Sequence, residues 1–178
     1  DGRDVAPKSA LEYIEQLNHF LHDHPNAAIV SIIGRYFALD RDNRWERVSK
    51  AYHLICGGMA EHQADSALAA VEDAYARGET DEFIAPTTIG EGVRMEDGDA
   101  LIFVNYRSDR VRQISRAFIQ PDFDDFERQC KVSLSHFVTM TEYHKDFAPL
   151  YGAEVAFGAS SLANTFGEYV SKLGLTQL

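Results

Sequence analysis

The sequence predicts an α/β fold: a layered α/β sandwich with a largely parallel or mixed sheet flanked by helices. Three observations carry this. Short β-branched apolar runs alternate with segments of helical periodicity along the chain, which is the pattern of strands interleaved with helices. Two of the runs end just before arginine-bearing loops, as strands do that feed a crevice. The chain of 178 residues is 45% apolar and 11% aromatic, enough for the core of one domain.

The elements follow in order. After Pro7, Leu11, Ile14, Leu17, Phe20 and Leu21 recur at spacings of three and four, predicting an amphipathic helix over 9–24 that Pro25 and Asn26 close. Residues 27–33 (AAIVSII) read as a buried strand ending at Gly34. Trp45, Val48, Ala51, Tyr52 and Ile55 mark a second helix from Arg44, stopped by Gly57 and Gly58. Leu68, Val71, Ala74 and Tyr75 mark a third over 65–76, with Gly78 as its stop. Residues 82–89 (EFIAPTTI) and 100–106 (ALIFVNY) read as strands, separated by the Asp97-Gly98 turn signal. A helix is expected over 108–118 with Ser108 as its N-cap, then a strand over 132–140. Ser160 or Ser161 is expected to cap a last helix that runs to Lys172 and stops at Gly174.

Charge narrows the partners. Acidic residues outnumber basic ones 28 to 17, a net charge of −11, so broad attraction to nucleic acid or an anionic membrane is not expected. No apolar run is long enough to span a bilayer and no secretory pattern opens the chain, so the expected location is the cytoplasm. Cys56 and Cys130 are far apart and in no CxxC arrangement, which predicts reduced, partly buried thiols. The histidines at 19, 22 and 24 have no matching carboxylate or cysteine set, so metal ligation is not expected there.

Arginine is the informative residue. Twelve of the seventeen basic residues are arginine, and eight of them fall in two segments: Arg35, Arg41, Arg44 and Arg47, then Arg107, Arg110, Arg112 and Arg116. A guanidinium grips carboxylate or phosphate at two points, which an ammonium does not. Both segments begin where strands are expected to end, so both are placed on one crevice, with Arg107 and Arg110 flanking a helix N-terminus. The competing reading is ion pairing with Asp40, Asp42, Asp99 and Asp109 on the surface. For Arg44, Arg47, Arg112 and Arg116, further along the helices, a solvated face is expected. Arg77 is expected at a helix end, outside the site. The opening Asp1-Gly2-Arg3-Asp4 sets two carboxylates and an arginine around a glycine turn, able to orient a hydroxy acid and move its proton.

Several runs together resemble one family, the cofactor-independent (2,3-bisphosphoglycerate-independent) phosphoglycerate mutases. They are DGRDVAPKSA at 1–10, SIIGRYFALDRDNRWERVSKAY at 31–52, DEFIAPT at 81–87, DGDALIFVNYRSDRVRQISRAF at 97–118, MTEY at 140–143 and LANTFGEYV at 162–170. Two departures from the family pattern are Phe37 where a second tyrosine is usual and Tyr106-Arg107-Ser108-Asp109-Arg110 where Phe-Arg-Pro-Asp-Arg is usual.

The resemblance implies that residues 1–178 are one domain, most of the inserted substrate-binding domain of a two-domain enzyme. The other, a metal-binding phosphatase-like domain of the alkaline phosphatase superfamily, would hold two divalent ions (manganese or magnesium), none of them on this chain. Implied with it are interconversion of 3-phosphoglycerate and 2-phosphoglycerate through a phosphoserine formed in that other domain, and a monomeric parent. Arg3, Asp4, Arg35, Arg41, Arg107 and Arg110 are the implied substrate-binding residues, with Asp4 as acid or base. The family's serine nucleophile, Asp-His-Gly, His-Ser-His and lysine-bearing segments are not in this sequence, so this chain alone is expected to be inactive and to bind no manganese tightly. The alternative is a non-catalytic α/β domain that binds a small phosphorylated or carboxylated metabolite with the same arginines.

Overall fold

A computed structural model describes residues 2–158 and 163–176. The α/β class stands, with the strands divided between two hydrogen-bonded sheets rather than gathered in one. In the first, β3 (Thr87–Ile89) lies between β1 (Ser31–Ile32), antiparallel to it, and β2 (His62–Ala64), parallel to it. The second is all parallel: β4 (Ala100–Phe103), β5 (His136–Thr139) and β6 (Glu154–Val155), in that order. The helices are α1 (Ala10–His22), α2 (Arg35–Ala38), α3 (Trp45–Gly57), α4 (Ala67–Ala76), α5 (Arg112–Ile119), α6 (Phe147–Tyr151) and α7 (Phe166–Lys172). Thr165 accepts from the Glu168 amide to cap α7; the caps expected at Ser160 or Ser161 lie outside the described residues.

The apolar patterns explain the packing. Val48, Ala51 and Tyr52 of α3 face Ile114, Ala117 and Phe118 of α5, and Phe137 of β5 joins this core. Leu11 and Ile14 of α1 pack on Val71, Ala74 and Ile84 in a smaller cluster. Leu17 and Phe20, expected on the same inner stripe, are exposed, and the Phe20 ring stacks on His24 at 4.4 Å. Gly58 ends α3 in the left-handed region (φ 62), where its amide donates to Leu54 and that of Met59 to His53; most side chains strain at this backbone, and glycine does not.

Two buried tyrosines staple loops to this core. The Tyr143 hydroxyl, from the MTEY run, donates to the Asn105 carbonyl with that of Phe103 at 3.1 Å, and so fixes the chain leaving β4. The Tyr52 hydroxyl donates to Cys130 O at 2.6 Å. Burial pushes both phenol pKa values up.

The expectation of free thiols is overturned: Cys56 and Cys130 are joined by a disulfide. The end of α3 and the irregular segment before β5 bring their Cα atoms to 6.1 Å, within disulfide reach, across a sequence separation of 74. Isolation in sequence is not isolation in space.

Candidate functional site

Gly34 is where the site begins. Its amide donates to Ile84 O at 2.8 Å, and a Cβ at this position would sit 2.3 Å from Glu82 O. Only a residue without a side chain lets the backbone press this close, and the contact turns the chain after β1 into α2, which opens with Arg35. The amino-terminal segment docks on the same stretch. Gly2 has φ 75 and Asp4 φ 61, and Asp81 accepts from the Ser9 amide at 2.9 Å while its own amide donates to Pro7 O. That turn delivers Arg3 to Glu82, which it grips with two hydrogen bonds of 3.0 and 2.9 Å.

The second arginine segment comes from the other sheet. Beyond β4, the chain held by Tyr143 enters a 3-10 turn over Ser108–Arg110, and α5 begins at Arg112. Ser108 is therefore not the N-cap of α5, and the helix N-terminus expected beside Arg107 and Arg110 is absent from that point; the fork of Arg112 instead donates to Ser108 Oγ at 3.1 Å and to Tyr143 O at 2.6 Å. Asp109 accepts from Arg41 and, at 3.4 Å, from Arg107, tying the two segments together. Arg110 reaches across to Leu39 O at 3.2 Å.

A cleft of about 380 Å³ results, walled by Arg3, Arg35, Tyr36, Arg47, Glu82 and Arg110 among others. Its electrostatics mark the crowding. Burial lowers the Arg35 pKa, with repulsion from Arg3 and Arg107 adding to it; burial lowers that of Arg110 too, assisted by Arg41 and Arg35. Asp4 attracts both Arg3 and Arg35. Arg110 Nε is buried with no acceptor among the described residues. Asp109 is held below the usual carboxylate range, first by the hydrogen bond from Arg41. Arg3, Arg35 and Arg110 thus line the cleft, while Arg41 and Arg107 stand outside its lining and reach it through their charge, Arg107 on Arg35 and Arg41 on Arg110.

Of the four arginines assigned to solvated faces, Arg44 and Arg112 are exposed, while Arg47 and Arg116 are half-buried. Arg47 is 20% exposed, lies 3.7 Å over the Tyr36 ring and pairs at 3.5 Å with the buried carboxylate of Asp40. Arg44 pairs with Asp42 at 2.8 Å and with Asp40 at 3.7 Å. Arg112 is engaged as above, and Arg116 pairs with Asp125 at 2.9 Å with its guanidinium over Trp45. Helical position alone misplaced Arg47 and Arg116, because aromatic neighbours cover them. Arg77 does sit at the C-terminal end of α4, where its fork grips Glu79, which also accepts from the Ala85 amide. Glu82 was not singled out as a site residue, since nothing in its spacing pairs it with Arg3, 79 positions away.

A family model described as "BPG-independent PGAM N-terminus" matches residues 1–145. A 2,3-bisphosphoglycerate-independent phosphoglycerate mutase of Hydrogenovibrio crunogenus is 59% identical over 183 residues, covering 100% of this chain and 35% of the relative. One from Pseudomonas aeruginosa is 50% identical over 182 residues with the same coverage. Among solved structures, a Leishmania mexicana phosphoglycerate mutase crystallised at low cobalt concentration superposes with a TM-score of 0.80 at 30% identity, over 98% of this chain and 33% of that one. The chain spans about a third of the length of the relatives it matches.

Proposed function

Because the chain belongs to the 2,3-bisphosphoglycerate-independent phosphoglycerate mutases, we propose that it is the substrate-gripping domain of a two-domain isomerase that interconverts 3-phosphoglycerate and 2-phosphoglycerate. The observation that carries this reading is that Arg3, Arg35 and Arg110 line one cleft, with Arg107 close enough to repel Arg35 and Arg41 close enough to repel Arg110. A small anion with a phosphate and a carboxylate relieves that repulsion and accepts the paired hydrogen bonds that guanidinium forks supply. Glu82 and Asp109 hold the forks in place beforehand, so that little ordering is left for binding.

Asp4, next to Arg3 and in the field of Arg35, takes or gives the proton of a glycerate hydroxyl as phosphate leaves or arrives. The phosphoryl group itself passes through a serine in the remainder of the parent, whose closure over the cleft excludes water and favours transfer over hydrolysis. The residues of this cleft do not fit a divalent ion. Its carboxylates are committed to arginines, and no group of three or more His, Cys, Asp or Glu suited to a metal occurs among the described residues. The two manganese or magnesium ions of the proposed reaction would be held by the remainder of the parent.

Titration of this chain with 3-phosphoglycerate, followed by amide shifts, tests the reading. Arg107→Ala and Arg110→Ala are expected to weaken binding roughly tenfold or more, the consequence of losing a charge-assisted hydrogen bond, while Arg94→Ala leaves it unchanged. Equal affinity in all three variants would refute the assignment.

A further inference from the structure

A second cavity, of about 510 Å³, lies away from the arginine cleft. It opens at the amino-terminal ends of the parallel strands β5 and β6, where Ser133–His136 enter the sheet and Tyr151 and Gly152 precede β6. The cleft-forming 105–110 segment follows the carboxyl end of β4, so the two openings occupy opposite ends of one sheet.

The lining has two characters. Phe118, Val132, Leu134 and Phe137 supply a half-buried to buried apolar floor. The wall carries Arg128 and Lys131. Arg128 is held by three backbone carbonyls, those of Ala117, Gln120 and Pro121, at 3.0, 3.1 and 2.9 Å. Carbonyls fix a guanidinium without neutralising it, and neither Arg128 nor Lys131 pairs with a carboxylate among the described residues. At the rim His136 meets Glu154 at 2.6 Å. In a chain with a net charge of −11, two uncompensated cations over an aromatic floor are not a general property of the surface.

We infer that this cavity is a second ligand site, one that takes an organic anion with an apolar body: the body on Phe118, Val132, Leu134 and Phe137, the carboxylate or phosphate head at Lys131 and the free Nη2 hydrogen of Arg128. Its volume suits a molecule of one or two rings, in the lower part of the range that small-molecule pockets span. Binding here does not require the arginine cleft.

The probe is 1-naphthoate, with neutral 1-naphthalenemethanol as its uncharged counterpart, each titrated into this chain and followed by amide shifts. The naphthoate is expected to shift residues 118–121 and 131–137, to bind roughly tenfold more weakly to Lys131→Glu, and to exceed the alcohol in affinity by a similar factor. Lys131 is exposed, so the variant keeps the fold, and its response to 3-phosphoglycerate at 107–110 is expected to match that of the parent sequence. Absence of shifts at 118–121 and 131–137, equal binding by Lys131→Glu, or equal binding of the alcohol overturns the inference.

Discussion

On the proposed reading, Arg110 is a side chain readied for an anion. Its Nη1 spends one hydrogen bond on Leu39 O, its Nε is buried without an acceptor, and Arg41 and Arg35 press on it with like charge. The unpartnered Nε and the like-charge repulsion cost free energy, and an incoming phosphate or carboxylate would remove the electrostatic part. Tyr75 plays a structural role at the foot of the same region. Its hydroxyl donates to Asp81 and accepts from the Ala10 amide at 3.1 Å, tying α4 and α1 to the turn that carries Glu82. Burial first, then the bond to Asp81, pushes its pKa up to about 12 from 10.0. A folded-state pKa above the unfolded one means that the stabilisation is complete below pH 10 and fades as pH rises toward 12. In urea unfolding, Tyr75→Phe is therefore expected to cost about 1 kcal/mol at pH 7 and to lose less further stability between pH 10 and 11.5 than the parent sequence does. Parallel pH profiles for the two would show that the phenol is not linked to folding.

At the scale of elements, long periodic segments were readable and short ones were not. α1, α3 and α4 lie within one or two residues of their predicted spans, because three or four turns of apolar stripe leave a clear signal. The strand expected over 27–33 shrinks to Ser31–Ile32, and β2, α2, α6 and β6 were not anticipated: elements of two to five residues contain too little periodicity to register. The expected Ser108 cap failed since Val111 interposes a 3-10 turn before α5, a choice made by packing of the buried Val111 rather than by local propensity. Gly34 was legible as a strand end, but its approach to the 82–84 backbone was not. Gly34→Ala would drive a Cβ against Glu82 O and Ile84 N, both backbone atoms that cannot rotate away. The expected loss is about 1–3 kcal/mol in urea unfolding, together with weaker 3-phosphoglycerate binding as Arg35 shifts. An unchanged midpoint would mean that the contact is softer than the geometry indicates.

Across the whole molecule, what sequence conveyed was the arginine inventory, and what it concealed was every partner held at long range. Glu82 lies 79 positions from Arg3, Asp109 lies 68 from Arg41, and the disulfide spans 74. Each is a product of topology, which brings the ends of two separate sheets to one side. The Cys56–Cys130 bond is expected to leave the intact chain two hydrogens lighter than its reduced form by mass, and reduction is expected to cost about 2–5 kcal/mol of stability. Identical masses before and after reduction would remove the bond from the account. No helix among the described residues is long and apolar enough to cross a membrane.

The central claim is that the amino-terminal turn and one segment from each of the two sheets form a single anion site, and mapping 3-phosphoglycerate onto the amide spectrum of this chain tests it most directly. Saturable shifts are predicted together at residues 2–4, 34–41 and 105–110, with one dissociation constant for all three groups and with Arg107→Ala weakening all three alike. Shifts confined to one segment, or different constants for the different segments, would contradict a shared site.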